Sequence, residues 1–327
     1  MSKLAIIDAD SMIYIIAWKF KTKKVANMVR ISLNQFIHEL LKASGATHYV
    51  GFYGSSDKTT APNFRFALDP EYKANRPETP EFITKWRPTI HKEMSDKWGF
   101  LPVSGMEADD AVSITKRRYE KEYDEIVVIT ADKDLKQLAG ITHFDMGKHK
   151  FTDITQLEAD KFFVEQLLKG DTGDNVKGLP GIGPKTAAAL VAGCKTTADL
   201  KWMAIRMYKN HFDSKETKLT KTVETDIEVE WTTWLDEMKA DTKSVIHKLT
   251  DKQLERQKRL FITGAAKKRA AEKSNGGWRA YIKQQYQLLR MLDEAPDGFV
   301  IPEPVEFAHA VVDTDMDPAE DTDFLGL

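Results

Sequence analysis

The run Glu125-Ile126-Val127-Val128-Ile129-Thr130 constrains this chain more than any other stretch. Apolar residues fill it without alternation, so both faces need covering, and a strand of that kind belongs inside a parallel sheet. Lys3-Leu4-Ala5-Ile6-Ile7 repeats the pattern, and Tyr49-Val50-Gly51-Phe52-Tyr53 is another candidate strand. Ile141 to Asp145 is a short fourth. Between the first two strands, Ser11 to Phe20 and Val29 to Ala43 read as helices. This alternation predicts an α/β fold with a mostly parallel central sheet flanked by helices. A chain of 327 residues has room for a sizeable core and two domains.

Open parallel sheets place ligands beyond the carboxyl ends of their strands. Here an acid follows strand after strand. Asp8 ends the first, with Asp10 two residues on; Asp57 follows the second; Asp132 and Asp134 follow Thr130. Gly105-Met106-Glu107-Ala108-Asp109-Asp110 sets three more carboxylates at the start of the helix leading into that last strand. Charge of one sign packed this tightly is costly unless neutralised, and a helix N-terminus compensates only in part. Oxygen-only donors suit a hard cation such as Mg²⁺ or Mn²⁺. A solvated acidic first turn would explain Glu107 to Asp110 alone, but the repetition along the sheet edge favours a metal site.

The stretch from Asp69 to Gly99 is polar at first and proline-rich, an excursion over the sheet edge. Lys73 and Arg76 share a face if their turn is helical. Pro77, Pro80 and Pro88 argue against one long, straight helix. Past Thr152 a second unit begins. Asp171-Thr172-Gly173-Asp174-Asn175 is a polar turn with two acids, and Gly178-Leu179-Pro180-Gly181-Ile182-Gly183-Pro184-Lys185-Thr186-Ala187 leads into a helix ending near Val191. The glycines allow close backbone approach, Pro184 suits a first helical turn, and the free N–H groups there form a natural phosphate seat. Pro184 before Lys185-Thr186 excludes a strict P-loop. Neither a Gly-x-Ser-x-Gly elbow nor a His-Glu-x-x-His pair occurs. Cys194, the single cysteine, excludes an internal disulfide and a multi-cysteine zinc site. The early apolar run Met12 to Trp18 falls short of the ~20 residues of a membrane span, and no secretory signal is evident. A cytoplasmic location is expected.

Between Thr242 and Arg290 thirteen Lys/Arg stand against three Asp/Glu, whereas Met291 to Leu327 holds eleven acids and no Lys or Arg. A basic stretch before an acidic tail points to a polyanion partner and a solvated tail. A Lys-rich solvent-facing helix would share the basic composition. The chain is expected to divide into 1–155, an α/β metal-binding domain; 156–292, a helical subdomain whose glycine-rich loop at 175–190 suits phosphates; and 293–327, a disordered tail. Asp323-Phe324-Leu325-Gly326-Leu327 is an apolar hook on that tail, suited to docking on a partner protein, although a purely solubilising tail is equally consistent.

Several blocks together resemble the 5′-nuclease (flap endonuclease, 5′→3′ exonuclease) superfamily in its bacterial and bacteriophage form. They are Leu4-Ala5-Ile6-Ile7-Asp8, Glu107-Ala108-Asp109-Asp110, Thr130-Ala131-Asp132-Lys133-Asp134-Leu135, and Gly170 to Asn175 running into Gly178 to Ala187. Pro70-Glu71-Tyr72-Lys73-Ala74-Asn75-Arg76 resembles the start of the arch through which that family threads single strands, here at about 69–99. The resemblance covers roughly residues 3–190. It implies a PIN-like core with a helix-hairpin-helix-type DNA clamp. It also implies a first metal held by Asp8, Asp57, Glu107, Asp109 and Asp110, and a second by Asp132, Asp134, Asp171 and Asp174. Asp57 fits least well, because extra residues separate it from Phe64-Arg65. Lys73 and Arg76 would meet the scissile phosphate. Tyr72, Gly178, Gly181, Ile182, Gly183, Lys185 and Thr186 would contact DNA, with K⁺ as a further ligand of the hairpin loop. The implied activity is Mg²⁺-dependent hydrolysis of DNA or RNA–DNA duplexes from the 5′ side by a monomer. The expected setting is primer or flap removal in bacteriophage replication. A structure-specific DNA-binding protein with a dead metal site is the rival of another class, and intact acidic blocks argue against it. A PIN-type ribonuclease is disfavoured by the hairpin block and the Lys73/Arg76 segment.

Overall fold

The computed structural model describes residues 1–22, 25–55, 62–212 and 277–307, with 232, 233, 235, 236, 250, 251, 253–255 and 258 between them. Asp57, most of the basic stretch and the tail beyond 307, including its apolar hook, lie outside the described residues. The chain divides into two units. The first comprises Met1–Gln166, Asp171–Val176 and Gln287–Leu327; the second comprises Leu167–Gly170 and Lys177–Tyr286.

The first unit is built on β1 (Lys3–Asp8), β2 (His48–Gly54), β3 (Leu101–Val103), β4 (Glu125–Thr130), β5 (Thr142–Asp145) and β6 (Lys150–Asp153), in the spatial order β3-β2-β1-β4-β5-β6. β1 pairs in parallel with β2 through Ile6 and Val50, and with β4 through Ile6 and Val128. β3 and β5 extend the sheet in parallel, and β6 closes one edge antiparallel to β5. Alternation along β1 explains the layers. Ala5 and Ile7 pack under α1 (Asp10–Lys19), α2 (Ala26–Ser44) and α4 (Glu81–Trp98), the short α3 (Arg65–Leu68) lying between β2 and α4 in the chain. Leu4 and Ile6 pack on the opposite face under α5 (Ala108–Tyr119). The mostly parallel α/β fold read from the strand runs is therefore present.

Two details depart from the sequence reading. No single helix spans 69–99, as the prolines argue, and Pro80 caps the start of α4, yet α4 runs eighteen residues with Pro88 inside it. Ile83, Trp86, Ile90, Met94 and Trp98 form its buried stripe, while Pro88 faces solvent. Burying five such side chains at ~1.5–3 kcal/mol each outweighs the ~3 kcal/mol of an interior proline. Residues 81–98 thus belong to the core, which leaves 69–80 as the excursion. The second departure concerns 293–307, expected in the tail. Val305 and Glu306, as β9, pair antiparallel with Tyr49 and His48 of β2, and Phe307 joins the core.

α6 (Gln156–Lys169) leads from the residues of the first unit into those of the second. β7 (Gly170–Asp171) and β8 (Val176–Lys177) pair as a two-stranded sheet, and α7 (Pro184–Ala192) follows. Residues 197–212 are helical, as is α8 (Gly277–Leu289). Within the second unit, buried Tyr208 donates to the Leu167 carbonyl at 2.5 Å.

A carboxylate cleft at the sheet edge

Strand ends deliver the first acids. Asp8 closes β1 beside Thr130, which closes β4; the Thr130 hydroxyl donates to Asp8 Oδ2 at 2.9 Å and accepts the Asp132 N–H at 2.8 Å. Asp132 in turn receives the Asp134 N–H at 2.8 Å. Asp10 opens α1 and accepts the Gly54 N–H from the end of β2 at 2.8 Å. Glu107 is the N-cap of α5, in a capping box with Asp110. Glu107, Asp109, Asp134, Asp171 and Asp174 line one cleft with Gln166, Tyr72 and Arg65. Gln166 donates to Asp134 at 2.8 Å and to Asp171 at 3.4 Å.

These acids repel one another. Burial pushes the Asp8 carboxyl up to about 7, and the Asp10 and Asp132 charges add to it. Asp10 is raised by burial and, more weakly, by Glu107. Asp109 is raised well above its ordinary value by desolvation, then by Glu107 and Asp110. Asp134 is pushed up to about 7 by burial and by Asp132, Asp171 and Asp174. Asp174 alone is lowered: Lys73 and Arg76 outweigh its burial.

The 69–76 turn supplies the counter-charge. Lys73 sits at φ 58°, a left-handed conformation uncommon for a side chain of its size. Its N–H donates to the Asp174 carbonyl at 2.9 Å. Its ammonium pairs with Glu107 and lies 3.7 Å from Asp174, while Arg76 pairs with Asp174. Tyr72, expected to touch DNA, is 2% exposed, and its hydroxyl instead bridges Glu107 at 3.2 Å and Asp174 at 3.0 Å.

Asp110 is expected among the metal ligands, but its lone pairs are used. It accepts from Arg65 at 2.6 and 2.9 Å, from the Glu107 N–H at 3.0 Å and from the Leu292 N–H at 2.9 Å. A carboxylate offers about four acceptor positions, so none is left for a cation. Arg65 also donates to the Leu288 and Arg290 carbonyls, at 3.0 Å each. Arg65 and Gln166 are the members that sequence reasoning missed, and Asp10, though noted at the strand end, falls outside the expected ligand set. Asp8-Ala9-Asp10 carried a readable signal, and Phe64-Arg65 lay in plain sight as a landmark. Nothing marks Gln166.

Residues 3–165 match the family described as 5′-3′ exonuclease, N-terminal resolvase-like domain. The chain belongs to the 5′-nuclease superfamily. It is 35% identical over 165 residues to a thermostable DNA polymerase I of Thermus thermophilus, covering 48% of this chain and 20% of that protein. The chain thus matches about a fifth of the length of this polymerase relative. It is 26% identical over 208 residues to flap endonuclease Xni of a Shewanella species, covering 61% of this chain and 78% of that protein. A solved structure of T5 5′-exonuclease with bound zinc is 17% identical, with a TM-score of 0.48 over 88% of this chain and 99% of that one.

In this 5′-nuclease superfamily member the donor set fits a hard divalent cation: oxygen ligands only, with carboxyls raised first by burial and then by one another's charge. As the side chains lie, no three acids among the described residues converge on one point, and Lys73 and Arg76 occupy Glu107 and Asp174. The hairpin loop belongs to the second unit. Gly181 stands at φ 86° with open space around it, and Gly181, Gly183, Lys185 and Thr186 are exposed. Ile182 is half-buried, its N–H donating to the Leu179 carbonyl at 3.0 Å. Gly178 is packed so tightly that a Cβ would lie 2.2 Å from the Lys169 carbonyl carbon. No helix among the described residues is long and apolar enough to cross a membrane.

Proposed function

We propose that this chain is a divalent-metal-dependent nuclease that hydrolyses phosphodiesters from the 5′ side of DNA or RNA–DNA duplexes. The observation that carries the reading is the gathering of mutually repelling carboxylates from separate segments beside Lys73 and Arg76. Asp8, Asp10, Glu107 and Asp109 are the donors for one ion, and Asp132, Asp134, Asp171 and Asp174 for a second; Asp57, outside the described residues, remains a candidate for the first. Mg²⁺ or Mn²⁺ bound there would lower the pKa of water and stabilise the leaving oxygen. Lys73 and Arg76 exchange their carboxylate partners for the scissile phosphate and place positive charge where it develops in the transition state. Tyr72 keeps Glu107 and Asp174 oriented through its hydroxyl. Gly181, Gly183 and the N–H groups of Lys185 and Thr186 take duplex phosphates without reading sequence, with K⁺ as an added ligand of that loop. The terminal hook Asp323–Leu327 docks on a replication partner, which a deletion of Asp321–Leu327 tests by loss of clamp or single-strand-binding-protein capture.

The deciding assay is cleavage of a 5′-labelled flap duplex. Short 5′ fragments are expected with Mg²⁺, none with EDTA, and none from Asp109→Ala while DNA binding persists. Tight binding by the wild-type chain with no cut under Mg²⁺ or Mn²⁺ would replace this reading with that of an inactive DNA-binding protein.

A further inference from the structure

A second surface of the first unit lies apart from the carboxylates. Trp18, near the end of α1, is 64% exposed. Phe82, in the first turn of α4, meets it edge-on with ring centroids 5.4 Å apart. The Lys21 ammonium lies 5.0 Å from the Trp18 ring centroid and 5.5 Å from that of Phe82. Lys85 lies 4.7 Å over Trp86, one turn further along α4, and Lys19 5.3 Å over Phe36. Among the described residues, no carboxylate stands within ion-pair distance of Lys19, Lys21 or Lys85. Lys23 and Lys24 follow in the sequence.

An exposed ring, Trp18, with the half-buried Phe82 against it and lysines that lack a carboxylate partner among the described residues, is chemically selective. An apolar partner helix would have to bury ammonium groups without counter-ions, which is costly. A duplex keeps its base faces stacked inside and offers none to Trp18. An unpaired strand offers both complements at once, bases for the rings and phosphates for the lysines. We propose that Trp18, Phe82 and Lys21 dock single-stranded nucleic acid, namely the unpaired 5′ tail of the substrate. The assignment of that tail to a substrate rests on the nuclease reading; the surface chemistry does not. From Asp10, at the cleft, α1 runs eight residues to Trp18, about 12 Å at ~1.5 Å per residue. A stacked strand rising ~3.4 Å per nucleotide covers that in about four nucleotides, so shorter tails gain nothing from the surface.

The test is fluorescence anisotropy with the whole chain in EDTA, where no strand is cut. The probes are a blunt duplex and the same duplex with 5′ tails of two and of eight nucleotides. The eight-nucleotide tail is expected to bind tighter than the two-nucleotide tail. Trp18→Ala, at an exposed position, should weaken binding of the long-tailed duplex about 5- to 100-fold, the range for one lost base–aromatic stack. It should leave the blunt duplex unchanged, and Lys21→Glu should behave alike. Variants that bind the long tail like wild type, or that lose the blunt duplex equally, overturn the proposal. So does heparin competing for wild type as well as oligo-dT does, since charge alone would then account for binding. Tail-specific loss in a chain that never cleaves would remove the nuclease reading and leave this surface standing. Cleavage without tail-specific loss would remove this surface alone.

Discussion

Arg65→Met should be among the most damaging substitutions in the described chain, although Arg65 touches no solvent of consequence. Arg65 is 2% exposed and Asp110 0%. The variant keeps most of the side-chain volume but removes both donors to Asp110 and those to the Leu288 and Arg290 carbonyls. Asp110 is then an ionised group with only the Glu107 and Leu292 N–H groups to hold it. Breaking a buried pair from one side costs about 3–5 kcal/mol, because the remaining charge is uncompensated. At roughly 2–4 °C per kcal/mol for a chain approaching this size, the melting temperature falls by about 6–20 °C. Urea midpoints for Arg65→Met, Asp110→Leu and the double variant separate pair from packing. The double variant should lose less than the two single losses added, since no lone charge survives in it. A loss under about 1 kcal/mol for Arg65→Met, or strict additivity in the cycle, would refute the reasoning. Asp110→Asn should also leave Mg²⁺ affinity far closer to wild type than Asp109→Asn does, as measured by calorimetric titration.

Under the proposed metal reading, Mg²⁺ at ~100 times its Kd should add about 2.7 kcal/mol, seen as a higher melting temperature in wild type and little change in Asp109→Asn. His91 has a buried Nε2 without a hydrogen-bond partner among the described residues, its ring lies 4.2 Å from that of Tyr53, and burial with the Arg87 charge pushes it down to about 4. The folded chain binds its proton more weakly than the unfolded one, so the stability it contributes is complete above about 6.5 and is lost as pH falls through about 4. His91→Phe should therefore flatten the fall in urea midpoint between neutral and acid pH. Gly178→Ala drives a Cβ against backbone at 2.2–2.4 Å, whereas Gly181→Ala meets only a left-handed φ of 86°. The first should cost well over the ~1–2 kcal/mol of the second, read as the larger drop in melting temperature.

The fold was legible where burial on both sheet faces left unmixed apolar runs. β4 falls on the run read from sequence, and β1 and β2 differ from theirs by a residue or so. β3 was not legible because Leu101-Pro102-Val103 is three residues long with a proline inside, nor β6, because Lys150-Phe151-Thr152-Asp153 is exposed throughout. α4 was hidden because Pro88 looks like a helix breaker until its ring is known to face water. In the cleft, sequence could assemble the acids but could not sort them. Asp109 and Asp110 are adjacent and chemically alike; only Arg65, 45 residues away, makes one of them an anchor. Tyr72 was expected at DNA through the resemblance alone, which carries no information about its burial.

The Leu292 N–H that fills the last acceptor of Asp110 lies 182 residues further along the chain. A ribosome adding ~5–20 residues per second reaches it about 10–35 s after Asp110 has been made. Throughout that interval the start of α5 lacks partners that only the later segment supplies, and part of the β2 edge waits for β9. Translation-arrested chains ending before Leu288 should accordingly be nicked by protease near α5, whereas chains extending past Phe307 resist. By order of synthesis, then, Asp110 gains its last hydrogen-bond donor only after Leu292 has been made.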